Sequence, residues 1–257
     1  MTALIGLKDN LRLARLQVIT DLRGGFDHFV PFVDHLFDVG ADMVQVRDAT
    51  ADDADLLAAL EAVVQPAFDH RALLCVGRNT GVAEQLRADL LHLGSTDGDL
   101  SDARAGLGRW SLVGRSVHDE EQLHHAVSEG ADWITVGPVF GRDVPGLDLV
   151  RRAAEVLPVH DERATPWFAA GGITAANLDE VLAAGAVRVA VGGAVTGAPD
   201  PIEATRSLAR RLGEHWRSRA DLEDYAFRAM GGPQKSATLN RAAGVTPAAA
   251  SPEAPQP

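Results

Sequence analysis

Short apolar runs alternate with amphipathic stretches along most of the chain. The runs occupy residues 16–21, 42–47, 72–77, 90–94, 111–117, 133–139, 167–173 and 188–194. Several are apolar at consecutive positions, the pattern of strands buried on both faces. Between them lie helical segments. Residues 52–64 carry Leu56, Leu57, Leu60 and Val63 on one 3.6-period stripe. Residues 119–129 open with acidic side chains, which favour a helix N-terminus. Residues 177–184 end at Gly185, a good residue just past a helix. Three helices close with related phrases, Asp38-Val-Gly-Ala-Asp42, Ser128-Glu-Gly-Ala-Asp132 and Ala183-Ala-Gly-Ala-Val187. Each delivers the chain straight into the next run. This is the grammar of repeated βα units. Eight alternations predict a single closed (β/α)8 TIM barrel in preference to an open doubly wound sheet.

After Pro201 the pattern predicts a last helix through Leu208 and Leu212 to Trp216 and on to Tyr225. The expected organisation is a lead-in over 1–15, the barrel with its final helix extension over 16–230, and an Ala/Pro-rich disordered tail over 231–257.

The 257 residues suit one barrel of this kind, for which about 250 is typical. A formal charge of -12 is poorly suited to gathering a nucleic-acid backbone, so no nucleic-acid partner is expected. No apolar run approaches the ~20 residues that span a bilayer, and no basic-then-apolar leader is visible. The expectation is a cytoplasmic protein with no membrane partner. The single cysteine, Cys75, sits in an apolar run and reads as a small buried hydrophobe.

In such barrels the strand C-termini carry the chemistry. Gly171 and Gly172 end the seventh run, and Gly192 and Gly193 end the eighth. Glycines there either make tight turns or let backbone N–H groups approach a phosphate. Arg47 and Arg78 end the second and third runs, as phosphate-chelating guanidinia or as ion-pair partners. Ser116 ends the fifth, as a site hydroxyl or a helix cap. Asp97 and Asp99 follow the fourth, as Mg2+ ligands or as members of a turn. His118, His124 and His125 read as helix-face residues.

These residues, in their order and spacing, resemble the thiamine-phosphate synthase family, which also contains the thiazole tautomerases. The likeness runs from about Leu16 to Leu212. It is carried by Val18-Ile-Thr-Asp21, Gly40-Ala-Asp-Met-Val-Gln-Val-Arg47, His92-Leu-Gly94, Gly114-Arg-Ser-Val-His118, Gly130-Ala-Asp-Trp-Ile-Thr-Val-Gly-Pro-Val-Phe140, Ala170-Gly-Gly-Ile-Thr174 and Gly185-Ala-Val-Arg-Val-Ala-Val191. The resemblance implies a (β/α)8 barrel joining a hydroxymethylpyrimidine diphosphate to a thiazole phosphate with Mg2+, releasing diphosphate. The implied partners are small phosphorylated heterocycles. Gln45, Arg47 and Ser116 would hold the pyrimidine diphosphate, with Arg47 and Ser116 acting in catalysis. Asp97 matches a Mg2+ ligand, and Gly171, Gly172 and Gly193 match the thiazole-phosphate site.

The chain departs from that family at three places. Val76-Gly77-Arg78 stands where the family has Asn-Asp-Arg, Ala49 stands in place of a Lys, and a short loop from Gly141 to Pro145 replaces a Thr- and Lys-bearing one. Arg142 in that loop is a candidate replacement for its lysine. Three readings follow: a synthase, a tautomerase-like isomerase with Pro138 where those enzymes place a histidine, and a phosphate-ligand-binding relative.

Overall fold

A computed structural model describes residues 6–23 and 25–231 of the chain. Eight parallel strands close into a barrel in sequence order: β1 (Leu16–Thr20), β2 (Met43–Val46), β3 (Leu73–Gly77), β4 (Leu90–Leu93), β5 (Leu112–Val117), β6 (Trp133–Val136), β7 (Trp167–Ala170) and β8 (Val189–Val191). Closure is made by β8 against β1, with Leu16 opposite Val189. The expected (β/α)8 barrel is the observed one, so strands buried on both faces identified themselves by their continuous apolar runs.

The helices begin where side chains satisfy the orphan N–H groups of a first turn. Asp52 accepts from the Asp55 N–H at the start of α3 (Asp53–Asp69). Asn79 caps α4 (Thr80–Leu86), and Asp119 caps α6 (Glu120–Ser128). Asp200 accepts from the N–H groups of Ile202 and Glu203 and opens α10 (Pro201–Arg217). The repeated Gly-Ala-Asp phrase has a physical reason as well. Asp42 Oδ2 accepts from the N–H groups of Arg15 and Leu16 at 2.8 and 3.0 Å, and Asp132 Oδ2 accepts from the Val113 N–H at 2.9 Å. Each aspartate thereby ties the start of its own strand to its neighbour.

Two apolar layers follow from strand alternation. Val18, Val44, Val46, Val76, Val113 and Val136 face outward onto the helices. Met43, Leu73, Cys75, Leu90, Leu112, Trp133 and Phe168 fill the barrel's lower interior. Cys75 is fully buried and its thiol pKa is pushed up by that burial, as expected of an inert hydrophobe. Gly114 makes room for Trp133, since a Cβ there would lie 2.2 Å from the indole.

Four expectations change. The lead-in contains a helix, α1 (Leu7–Leu13), whose Leu7 and Leu11 pack into the bottom of the barrel interior. The sixth, seventh and eighth runs leave the sheet early. They stop at a cis Gly137–Pro138 peptide, at Gly171 and Gly172 with positive φ, and at Gly192. The short helix α9 (Gly193–Thr196) follows β8. The final helix is two, because Arg219 is extended (φ -121°, ψ 113°) between α10 and α11 (Ala220–Ala229). The tail expected beyond Gly231 lies outside the described residues. No helix of the described residues is long and apolar enough to cross a membrane.

Candidate active site

The barrel interior changes character from bottom to top. Above the apolar floor lies a buried polar tier of Gln17, Gln45, His92 and Thr135. Above that, a cavity of about 480 Å3 opens at the C-terminal ends of the strands. Gln45, Arg47, Arg78, Ser116 and Gly171 of the expected site all line it. Four separate strand ends, those of β2, β3, β5 and β7, are thus brought to one mouth, which is what closure of the sheet achieves.

Each group has a defined partner or lack of one. Gln17 Nε2 donates to Gln45 Oε1 at 2.6 Å, which leaves the Gln45 amide N–H groups for a ligand. Thr135 Oγ1 lies 3.0 Å from His92 Nε2, and burial pushes the His92 imidazole down to about 4. Arg47 is exposed at the rim and has no carboxylate partner among the described residues. Arg78 is paired with Asp97, its Nε donating to Oδ2 at 2.7 Å and Nη2 donating to Oδ1. Arg78 also carries a φ of 66°, a conformation that costs free energy and concentrates at functional sites.

Other expected residues fall elsewhere. Arg142 is exposed on the loop after β6 and does not line the cavity. Gly172, Gly192 and Gly193 do not line it either. A Cβ at Gly171 would lie 2.6 Å from Pro138 Cα, and one at Gly172 would lie 2.8 Å from the Phe140 carbonyl oxygen. These two glycines therefore serve the packing of the β6 and β7 loops. Gly193 differs: a Cβ there meets nothing within 4 Å, and the residue opens α9, where backbone N–H groups have no intrahelical acceptor.

At Asp97, where Mg2+ is expected, the carboxylate already has protein partners. Both carboxylate oxygens are engaged by Arg78, and the Gly94 N–H adds a bond to Oδ2 at 2.7 Å. Among the described residues no three metal-ligating side chains converge.

Among the cavity residues that sequence reasoning did not assign to the site are His92, Thr135 and His118. His92 and Thr135 are polar residues at inward positions of otherwise apolar strands, a signal present in the sequence. His118 is not a helix-face residue. It precedes α6 at the end of β5, and its Nδ1 is hydrogen-bonded to the Gly137 carbonyl oxygen. His124 and His125 do lie on α6, beside Glu120 and Glu129.

Comparison with known proteins agrees with this architecture. The family model for thiamine monophosphate synthase matches residues 16–195. A thiamine-phosphate synthase of Thermobifida fusca is 44% identical over 213 residues, covering 80% of this chain and 95% of that protein. The corresponding protein of Saccharopolyspora erythraea is 41% identical over 220 residues, covering 81% and 97%. A solved thiamine phosphate pyrophosphorylase from Pyrococcus furiosus superposes with a TM-score of 0.69 at 30% identity, covering 82% of this chain and 99% of its own. With a model match from β1 through most of α9 and relatives aligned over nearly their full length, the chain belongs to the thiamine monophosphate synthase family.

Proposed function

We propose that this chain joins a hydroxymethylpyrimidine diphosphate to a thiazole phosphate and releases diphosphate. The observation that supports this most is the mouth cavity, which gathers a guanidinium without a carboxylate partner among the described residues (Arg47), a hydroxyl (Ser116) and a free amide edge (Gln45) above an uncharged tier. In the reaction the carbon–oxygen bond to diphosphate breaks, and its electron pair leaves with the diphosphate. The carbon then bonds to the thiazole nitrogen. Negative charge grows on the departing group, and Arg47 with Ser116 would stabilise it. His92, held neutral beside Thr135, would add no charge under the forming cation. The phosphate of the thiazole would sit at Gly193 and the start of α9, with Gly171 shaping the rim between β6 and β7. Gly172 and Gly192 would support that rim and the turn into α9. Small phosphorylated heterocycles are thus the proposed substrates, and the cytoplasm, where such intermediates would be handled, is the proposed setting. The test is a coupled assay with both precursors that measures thiamine phosphate and diphosphate. Formation of both in equal amounts supports the proposal, and formation of neither overturns it.

One observation favours a second reading. His118 stands against the Gly137–Pro138 junction, with Nδ1 tied to the Gly137 carbonyl and Nε2 left as its other nitrogen. A histidine at this place could exchange a proton on a thiazole phosphate alone. Solvent deuterium incorporation without the pyrimidine substrate would distinguish that isomerase.

A further inference from the structure

The carboxylate at Asp97 is locked from three sides. Arg78 binds it with two N–H groups and Gly94 with a third. The Arg78 hydrogen bonds hold its pKa below the usual carboxylate range, against the opposing effect of partial burial. The loop itself is clamped from beneath. The buried Arg115 guanidinium donates to the carbonyl oxygens of Gly94, Asp97 and Gly98 at 3.0, 2.7 and 2.8 Å, braced by Glu129 at 3.4 Å. Gly94 is part of the same fit, because a Cβ there would lie 3.1 Å from both Arg78 Cζ and Asp97 Oδ2. On the adjoining strand β3, directly before Arg78, a side chain at Gly77 is sterically opposed. Its Cβ would lie 2.9 Å from Arg47 Cβ and 3.0 Å from the Val46 carbonyl oxygen.

A divalent cation needs free oxygen ligands, and Mg2+ in phosphate sites takes one or two carboxylates together with the phosphate. Here one carboxylate is spent and the place for a second is closed. A bidentate guanidinium does what a bound cation would do for that carboxylate: it neutralises it and fixes a positive charge beside it. Arg78 has five N–H donors, of which two are used on Asp97. The remainder and the unpaired Arg47 border the same cavity.

We infer that this chain binds the diphosphate group without a divalent cation, through Arg47 and the Asp97-anchored guanidinium of Arg78. The inference rests on the reaction proposed above, and the experiment separates the two. Full-length protein is titrated calorimetrically with inorganic pyrophosphate, once with Mg2+ and once with EDTA. The expected affinities agree within about threefold. Asp97→Asn keeps an acceptor for the Gly94 N–H but frees Arg78, and should tighten pyrophosphate in EDTA by about tenfold. Arg47→Ala should abolish the binding. Binding that needs Mg2+, no binding in EDTA, or loss of binding in a folded Asp97→Asn variant overturns the inference. The coupled assay is run beside the titrations. Product formed only with Mg2+ sinks the metal-free reading and leaves the synthase reading intact. Pyrophosphate bound in EDTA with no product in either condition supports the metal-free site and refutes the synthase.

Discussion

His92 Nε2 and Thr135 Oγ1 meet at 3.0 Å across the barrel interior, joining β4 to β6 through two buried side chains that are not adjacent in the sheet. His92 is 4% exposed, and burial leads the causes that lower its pKa from 6.5 to about 4, with Arg115, Arg47 and Arg78 adding to it against Asp97. In the unfolded chain the same imidazole titrates near its ordinary value, so between those two points the unfolded state binds more protons. Stability is therefore complete above about pH 6.5 and is lost as pH falls toward 4, by about 3 kcal/mol in all. Urea titrations at pH 7 and pH 5 check this. The His92→Asn variant should show a pH-induced loss about 2 kcal/mol smaller than the wild type. Equal losses would show that His92 is not the source.

Gly171 and Gly193 should respond oppositely to a methyl group. Gly171 has φ +97° and no room beside Pro138, so Gly171→Ala should destabilise the fold by about 1–3 kcal/mol. Gly193 has open space, so Gly193→Ala should keep its melting temperature and lose about tenfold in affinity for a thiazole phosphate. Thermal scans with calorimetric binding read both. Unchanged affinity in Gly193→Ala would place the phosphate elsewhere.

Arg47 is a mouth guanidinium with no carboxylate partner among the described residues. Arg47→Ala should leave the melting temperature within a degree or two, since a rim charge contributes little to folding. It should lower kcat/KM of the coupled reaction about a hundredfold or more, the usual cost of a lost charge-stabilising donor. A folded variant with undiminished turnover would remove Arg47 from the site.

At the other end of the barrel, Arg188 is 2% exposed and lies against the rings of Trp216 and Tyr225, at 5.4 and 5.5 Å from their centroids. Its Nη2 donates to the Arg12 carbonyl oxygen at 2.7 Å and lies 3.2 Å from the Tyr225 hydroxyl. Tyr225→Phe keeps the ring and removes one of the few acceptors of a buried cation. The expected loss is about 1–3 kcal/mol in chemical denaturation, with turnover unchanged. A neutral result would mean that the arginine needs only the rings and the Arg12 carbonyl.

The strands were legible because each is buried on both faces, so no polar alternation masked them. The rim residues Gln45, Arg47, Arg78 and Ser116 were legible from one rule, that strand C-termini point into the mouth. His118 also stands at the end of the fifth run, but beside the Asp119 cap it read as a residue of the helix face. α1 was hidden because its seven residues carry no side-chain cap and it earns its place through Leu7 and Leu11 alone. The Arg78–Asp97 pair was beyond a linear reading. The two residues lie 19 apart on neighbouring loops, and only the register of β3 against β4 brings them together. An aspartate matching a metal ligand and an aspartate held by an arginine look the same in sequence.

The helix lodged beneath the barrel has a consequence for traffic. With Leu7, Leu11 and Ala14 packed in the lower interior, the chamber formed by the described residues opens at the mouth where the strands end. Two reactants and two products must share it, so the order of arrival cannot be free. Whichever reactant sits deeper has to enter before the other blocks its path, and whatever remains of it leaves last. Kinetics on this chain should therefore follow a compulsory sequence, with the late-leaving product competing against the first-entering reactant and not against the second.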